Sequence, residues 1–157
     1  MKQIERIQAM LYGKGIHAEL RNDDSELVAF VSTGPMGSRL VVAERSFLLR
    51  CSILIPITCP DYRRPEMAMA IARANWNLNG GSFRLDCTDG ELRYETCFPL
   101  LDSEPTDDQL EWVVFASWHT TERYSMALAE VALSLVAPDL AIARAEASGQ
   151  ESGERAN

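Results

Sequence analysis

The chain has 157 residues, a length that suits one domain built around one hydrophobic core. Apolar residues make up 46% and charged residues 24%, which is the composition of an ordinary globular protein and excludes a disordered chain. The formal net charge of -8 makes duplex nucleic acid and anionic membranes poor partners, because both are bound through clustered lysine and arginine.

The start of the chain and the cysteines indicate the compartment. The segment from Met1 to Arg6 is charged and amphipathic and lacks the apolar centre of a signal peptide, and no apolar run reaches the length of a membrane span. The four cysteines form no C-x-x-C pair and there are two histidines, so the usual spacing of a zinc site is missing. We therefore expect a cytoplasmic protein with four free thiols, no metal and no cofactor.

The first part of the chain predicts a helix followed by strands. Ile4, Ile7 and Leu11 recur at the i, i+3, i+7 spacing of an amphipathic helix. Three apolar stretches with the character of strands follow: from Ile16 to Arg21, from Leu27 to Thr33 and from Arg39 to Ile57. The polar segment from Glu44 to Ser46 interrupts the third stretch, which is therefore one strand with a bulge or two strands joined by a turn.

A second helix is predicted at Pro65, because proline suits the first helical position, where its missing N–H is not needed. Its buried stripe consists of Met67, Ile71, Ala74 and Leu78, and Asn79-Gly80-Gly81 ends it. The two glycines do not predict a phosphate-binding loop, because such a loop leads from a strand into a helix and here a helix leads into a strand. Met67, Met69 and Met126 suit an adaptable binding surface, although methionine at helical spacing is more often core.

The strongest local pattern is a hairpin around Asp89-Gly90, a pair that favours a two-residue turn because both central positions need positive φ. Such a turn pairs apolar residues with each other on the inner face and opposite charges on the outer face. The expected pairs are Cys87 with Leu92, Leu85 with Tyr94, Phe83 with Thr96, Arg84 with Glu95, and Asp86 with Arg93. This register sends Cys87 and Cys97 to opposite faces, so we expect no disulfide between them.

The C-terminal part predicts helices. Thr106-Asp107-Asp108-Gln109 has the pattern of a capping box, in which the threonine hydroxyl and the glutamine side chain each bond a free backbone amide. Helical runs follow on both sides of Thr120-Thr121, which is a candidate interruption. Pro138 begins a last short helix that ends near Ala147, and the small and charged residues from Ser148 to Asn157 are expected to be a disordered tail. One domain therefore covers residues 1–147.

This order of elements favours an α+β fold, in which a mainly antiparallel sheet of about five strands packs against helices.

A family resemblance is carried by the second helix and the hairpin. The run Ala74-Asn75-Trp76-Asn77-Leu78-Asn79-Gly80-Gly81-Ser82-Phe83-Arg84-Leu85-Asp86, continued by Asp89-Gly90-Glu91-Leu92-Arg93-Tyr94, resembles the YbjN domain family. In that family a helix ending near an Asn and a small residue passes into a G-S-F-x-x-D…D-G-E-x-R-Y hairpin. The likeness covers about residues 64–146, through Arg123-Tyr124-Ser125-Met126 and Pro138-Asp139-Leu140, and residues 1–60 agree in element order.

The resemblance implies a fold like that of type III secretion chaperones, with the order α-β-β-β-α-β-β-α, in a small, acidic and usually dimeric protein. It also implies the family's label of bacterial sensory transduction regulator, and it supplies no catalytic residue. Many members have a proline just after the Arg-Tyr pair, where this chain has Ser125 and Met126, so a sharp break between the last helices is not expected here.

The sequence shows no pattern of a catalytic, cofactor-binding or metal site. His119 has only His17 as a second histidine, and we expect it to be a structural or surface residue. A cluster of carboxylates near the third helix, Asp102, Glu104, Asp107 and Asp108, lacks the spacing of a calcium loop. Carboxylates are common at the start of a helix because of the helix dipole.

The third helical region has more large apolar residues than one core-facing stripe can hold, given the 100° rotation per residue. The candidate interface consists of Trp112, Phe115, Trp118, Tyr124, Met126, Leu128, Val131 and Leu133. Either the helix is buried on several sides, or its spare face meets a second subunit or a client protein. A two-fold homodimer is the expected arrangement, because one patch is then used twice.

The sequence favours a non-enzymatic protein-binding module, chaperone-like or regulatory. Such a module would engage an unidentified client or regulatory protein through an apolar helical face or a sheet edge. One alternative is a small-molecule sensor or enzyme with a pocket between sheet and helices, and another is a structural subunit of a larger complex. A sensor or enzyme would need several polar residues that meet in this pocket, and the sequence shows no pattern of that kind.

Overall fold

The structure is a computed structural model that describes residues 2–101 and 103–154, with side chains as far as residue 149. Its elements, in chain order, are α1 (Gln3–Gly13), β1 (Ala18–Arg21), β2 (Glu26–Thr33), β3 (Met36–Arg45), β4 (Leu48–Thr58), a 3-10 turn (Asp61–Arg63), α2 (Arg64–Trp76), β5 (Ser82–Leu85), β6 (Glu91–Pro99), α3 (Asp107–Ala132) and α4 (Pro138–Glu154).

The strands form one antiparallel sheet in the order β1-β2-β3-β4-β6-β5, and the helices pack on one of its faces. The predicted α+β fold with an antiparallel sheet is confirmed, with six strands described where about five were expected. The stretch from Arg39 to Ile57 belongs to two strands, β3 and β4, which are joined by a turn at Ser46-Phe47.

Two clusters of buried side chains fill the space between helices and sheet, and α3 contributes to both. Leu110 and Val113, near the start of α3, pack with α1 and with strands β1 to β4. Tyr124 and Leu128, near its end, pack with α2, α4 and the β5–β6 hairpin. α3 is therefore the element that joins the two clusters into one core.

Between the clusters, α3 contacts the sheet through small hydroxyl residues. Ser117, Thr121 and Ser125 recur every four residues on the inner face of α3 and are buried. The Ser117 and Thr96 hydroxyl oxygens lie 2.9 Å apart, and the Ser125 hydroxyl donates to the Thr33 carbonyl at 3.1 Å. These bonds satisfy hydroxyls that would be costly to bury alone, and the small side chains let the helix lie close to the strands.

The predicted capping box at the start of α3 is confirmed. The Gln109 amide donates to the Thr106 hydroxyl at 3.2 Å, and the Thr106 amide donates to the Gln109 side chain at 2.8 Å. The helix then continues without a break through Thr120-Thr121, where the Thr121 hydroxyl donates to the Ser117 carbonyl at 2.8 Å. The candidate interruption at this point is therefore absent.

The last helix is longer than expected. α4 runs from Pro138 to Glu154, so the helix continues past Ala147 into the segment that was expected to be disordered. The rest of that segment, residues 155–157, lies outside the described residues. The Arg123 side chain of α3 holds α4 by donating to the carbonyl oxygens of Ala145 at 3.3 Å and Glu146 at 2.9 Å.

The hairpin of β5 and β6 has a longer turn than predicted. Phe83 pairs with Tyr94, Arg84 with Arg93 and Leu85 with Leu92, so the register differs by two residues from the expected one. The predicted cross-strand pairs are therefore wrong. Because side chains alternate with a period of two, the shift leaves each strand residue on its predicted face. Cys87, expected opposite Leu92 on the inner face, lies exposed in the turn.

The longer turn is explained by a backbone contact with Cys59. The Gly90 amide donates to the Asp86 carbonyl at 2.8 Å, and the Cys59 amide donates to the Gly90 carbonyl at 2.9 Å. The Thr88 amide also donates to the Asp86 carboxylate at 2.8 Å, which lowers the pKa of that carboxyl. Gly90 has φ +84°, and a Cβ at this position would lie 2.2 Å from the Cys59 carbonyl oxygen.

Contacts at the junction between α2 and β5 explain why Asn75 and Gly81 occur at these positions. The Asn75 side chain donates to the Phe83 carbonyl at 3.0 Å and accepts from the Phe83 amide at 2.8 Å, which covers the outer edge of the sheet. At Gly81 a Cβ would lie 2.5 Å from the Thr96 hydroxyl oxygen, so only glycine fits without displacing β6.

We predict that Gly90→Val lowers the free energy of unfolding by at least about 2 kcal/mol, because valine is strained at positive φ and would displace the backbone of Cys59. Gly37→Val is the control, since Gly37 lies in β3 with no atom within 4 Å of an added Cβ. Urea unfolding of both variants checks this prediction. An equal loss in the two variants would contradict the role of the Cys59 contact.

We predict that Asn75→Ala lowers the free energy of unfolding by about 1–3 kcal/mol, because it leaves both backbone groups of Phe83 without their partner. Asn79→Ala is the matched control, since Asn79 is exposed and makes no side-chain hydrogen bond within the described residues. Thermal unfolding of the two variants measures the difference, and similar melting temperatures would refute the edge-covering role.

Candidate functional site

The outer face of α3 carries four apolar side chains in a row, here called the α3 stripe: Trp112, Phe115, Met126 and Leu133. At 100° per residue they lie within ~60° of one another, on the side of the helix opposite the buried hydroxyls. Trp112 is 52% exposed, Met126 44% and Leu133 66%, while Phe115 is partly buried. The outer face of this long helix therefore carries exposed apolar side chains, with the exposed His119 and Glu122 between Phe115 and Met126.

Part of the predicted interface belongs to the core. Tyr124, Leu128 and Val131 are buried, because their side chains point toward α2, α4 and the β5–β6 hairpin. The Tyr124 ring meets the Phe83 ring edge-on at 5.5 Å, its hydroxyl donates to the Glu146 carboxylate at 3.1 Å, and burial raises its pKa to about 12. The interface prediction is wrong for these three residues.

Two other aromatic residues of the predicted interface seal the junction of α3 with α1 and β2. The Trp118 indole N–H donates to the Ser32 carbonyl at 2.6 Å, and its ring stacks on that of Phe115 at 5.8 Å. The Lys14 ammonium of α1 lies 4.9 Å from the centre of the Phe115 ring. Both rings are partly buried, so they account for some, but not all, of the surplus apolar surface.

Two exposed members of the α3 stripe, Trp112 and Met126, lie next to glycines of neighbouring loops. The Trp112 ring packs so close to Gly80 that a Cβ there would lie 2.8 Å from it, and the Met126 side chain lies 4.0 Å from the Cβ position of Gly34. Because glycine has no side chain, the Trp112 and Met126 side chains can lie close to the backbone of these loops. Its outer surface remains open to solvent.

A second apolar surface lies on α2 and on the 3-10 turn before it, and of its residues the sequence suggested only Met69 for a binding surface. Tyr62, Met69 and Trp76, spaced seven residues apart, are 75%, 55% and 88% exposed. Met69 and Trp76 border a groove of about 420 Å³ between α2 and α4, whose floor includes the buried Ile142. Met67 is core, as its helical spacing suggested. The seven-residue spacing is the sequence signal that places Tyr62 and Trp76 on the same side as Met69.

The polar residues considered at the sequence level do not come together as a reactive centre. His119 is exposed, with its Nδ1 3.7 Å from the Glu122 carboxylate. Asp107 pairs with Arg6 beside α1, Glu104 and Asp108 are exposed, and Asp102 lies outside the described residues. Over residues 2–101 and 103–154, no three His, Cys, Asp or Glu side chains are grouped so that they could hold a metal ion.

A comparison with known protein families assigns this chain to one of them. The profile of the YbjN family, described as "Putative bacterial sensory transduction regulator", matches residues 3–130. The chain therefore belongs to the YbjN family. The match includes the N-terminal residues, whose likeness was seen only in element order, and it ends before α4. No curated protein matches the chain.

Among the described helices, none has the length and apolar character needed to cross a membrane.

The cysteines are free and fall into two classes, with Cys87 and Cys97 exposed and Cys51 and Cys59 buried. Burial raises the pKa of Cys51 to about 12 and also raises that of Cys59, so neither forms the reactive thiolate near neutral pH.

We predict that brief alkylation of the native protein without reductant modifies Cys87 and Cys97, and that all four cysteines react after denaturation. Mass spectrometry of the two samples counts the adducts. Rapid modification of Cys51 in the native protein would contradict its burial, and fewer than four adducts after denaturation would reveal a disulfide.

Proposed function

We propose that this protein is a non-enzymatic regulatory module that acts in the cytoplasm by binding another protein chain. The family description supports a regulatory role, and four free cysteines suit a reducing compartment. The observation that carries the proposal is the α3 stripe. It exposes large apolar side chains on a helix whose inner face is already filled, and such patches on soluble proteins mark interaction sites.

The alternative of a sensor or enzyme with a pocket between sheet and helices has less support. That space holds the packed side chains of the two core clusters and the hydroxyl contacts between them. The buried thiol nearest to these hydroxyls, Cys51, has its pKa raised by burial, which makes it a poor nucleophile.

We propose that the first occupant of the α3 stripe is a second copy of this chain. An antiparallel crossing of two α3 helices, with the two-fold axis midway between His119 and Glu122, would bring Phe115 of each copy next to Met126 of the other. The same symmetry sets His119 opposite Glu122 of the other copy, so the centre of the contact joins Phe115 to Met126 and a base to an acid, while Trp112 faces Ala129 and Leu133 faces Asp108. Self-complementarity of this kind is what a two-fold interface requires.

Light scattering at micromolar concentration tests this proposal. We expect a mass of about twice the 17.5 kDa of one chain. Met126→Glu should raise the dimer dissociation constant at least tenfold, because a charged side chain would replace the apolar contact of Met126 with Phe115 of the other copy. Trp76→Ser, which removes a still more exposed apolar residue from α2, is the control and should remain dimeric.

Other results would exclude the second copy. A monomer that binds a hydrophobic dye, and loses that binding in Met126→Glu, would identify the α3 stripe as a client site. Dissociation by Trp76→Ser but not by Met126→Glu would move the interface to α2. A monomer that binds no dye would refute the use of either surface.

A further inference from the structure

The face of the sheet that turns away from the helices, here called the open face, has a chemistry unlike the rest of this acidic chain. Cross-strand neighbours form a row over five strands from β2 to β5: Phe30, Arg39, Leu54, Arg93 and Arg84. Phe30 is 73% exposed and the Arg84 side chain 58%. One aromatic residue, one aliphatic residue and three arginines therefore lie side by side on an open surface.

Four carboxylates of the open face already have cationic partners, whereas Asp86 and Asp89, in the turn of the hairpin, form no ion pair with any residue that the structure describes. The pairs are Glu19 with Arg21 at 3.2 Å, Glu26 with Arg45 at 3.4 Å, Glu91 with Arg93, and Glu95 with Arg84 at 3.1 Å. Glu95 is also bonded by the Ser52 hydroxyl at 3.3 Å and lies 3.9 Å from Arg93. These acids cannot serve further cations without giving up the partners they have.

Two arginines of the open face are left over. Arg39, on β3, and Arg50, on β4, make no hydrogen bond or ion pair with any residue that the structure describes. Unpaired guanidinium groups on a chain with a net charge of -8 are available to an anionic partner.

Each free arginine lies in a hollow of its own. Arg39 borders a hollow of about 470 Å³ with Phe30, Leu54 and Pro56, with Asp89 and Glu91 at its rim. Arg50 borders a hollow of about 480 Å³ with Arg84 and Arg93, which also contains the carboxylates of Glu95 and Asp86. The first hollow offers apolar contact beside one cation, and the second offers three guanidinium groups of which Arg50 is unpaired.

We propose that the open face binds an extended acidic segment of another protein. A carboxylate of the segment pairs with Arg50, and an apolar side chain lies against Phe30 and Leu54 while a second carboxylate reaches Arg39. Leu54 and Arg50 are four residues apart on β4, about 13 Å, so the apolar and acidic anchors stand about four residues apart in an extended segment. Arginine suits this role because it binds carboxylates with two parallel hydrogen bonds.

Nucleic acid fits this surface less well than an acidic peptide. A polyanion needs many phosphate contacts, and the buried Glu95 and the overall net charge of -8 oppose it. The proposal deepens the protein-binding function but rests on a surface separate from the α3 stripe. A failure here leaves the dimer test unaffected, and a monomeric protein could still bind the peptide.

The test is fluorescence anisotropy of the full chain with a labelled, otherwise serine-rich peptide in which a leucine follows one glutamate by four residues and a second glutamate follows the leucine. We expect saturable binding that weakens as salt rises from 0.05 to 0.5 M, because screening shortens the reach of the charges. Arg39→Gln combined with Arg50→Gln should weaken binding at least tenfold. The control combines Arg73→Gln with Arg144→Gln, two exposed arginines of α2 and α4 that have no partner among the described residues.

The same peptide with lysine in place of glutamate should not bind. Melting temperatures of both double variants should match that of the wild type, which shows that they fold. The proposal is overturned if the two double variants bind the acidic peptide equally, if the lysine peptide binds as well, or if no binding occurs. It is also overturned if a single-stranded oligothymidine binds through Arg39 and Arg50 more tightly than the acidic peptide.

Discussion

The close contact between α3 and the sheet, made through Ser117, Thr121 and Ser125, is the constraint on which the other features depend. These short side chains let one long helix lie across the strands and join two hydrophobic clusters. Their hydroxyls are satisfied by Thr96, Thr33 and the helix's own carbonyls, so burying them costs little. Because this contact fixes the rotation of α3, it also decides that Trp112 and Met126 face solvent.

The two sides of the molecule differ in chemistry and therefore suit different partners. The helical side presents the α3 stripe, for which we propose a second copy as partner, and the groove between α2 and α4 beside Trp76. The open face of the sheet presents Arg39 and Arg50, which match an acidic segment. If both proposals hold, a dimer carries two open faces and can bind two acidic segments of the same partner. Linking two such sites raises the apparent affinity without any new contact.

Local patterns in the sequence predicted local structure well, and long-range contacts account for what they missed. The capping box at Thr106 and the core stripe with Met67 depend on residues close in the chain, and both are present. The hairpin register was wrong because Gly90 is held by Cys59, about thirty residues away in the chain. In the candidate interface, helical spacing showed that α3 has surplus apolar residues. It could not show that Tyr124 points inward, since that depends on how α3 is rotated on the sheet.

The pairing of two α3 stripes is tested most directly by a distance measurement between spin labels. Glu122→Cys, in a chain with Cys87→Ser and Cys97→Ser, puts the label next to the proposed two-fold axis. Electron paramagnetic resonance should then give a label-to-label distance below about 25 Å, because packed helices lie about 8–10 Å apart. A label at Arg73→Cys on α2 should give a longer distance. No measurable distance from Glu122→Cys, or a shorter one from Arg73→Cys, would contradict pairing through α3.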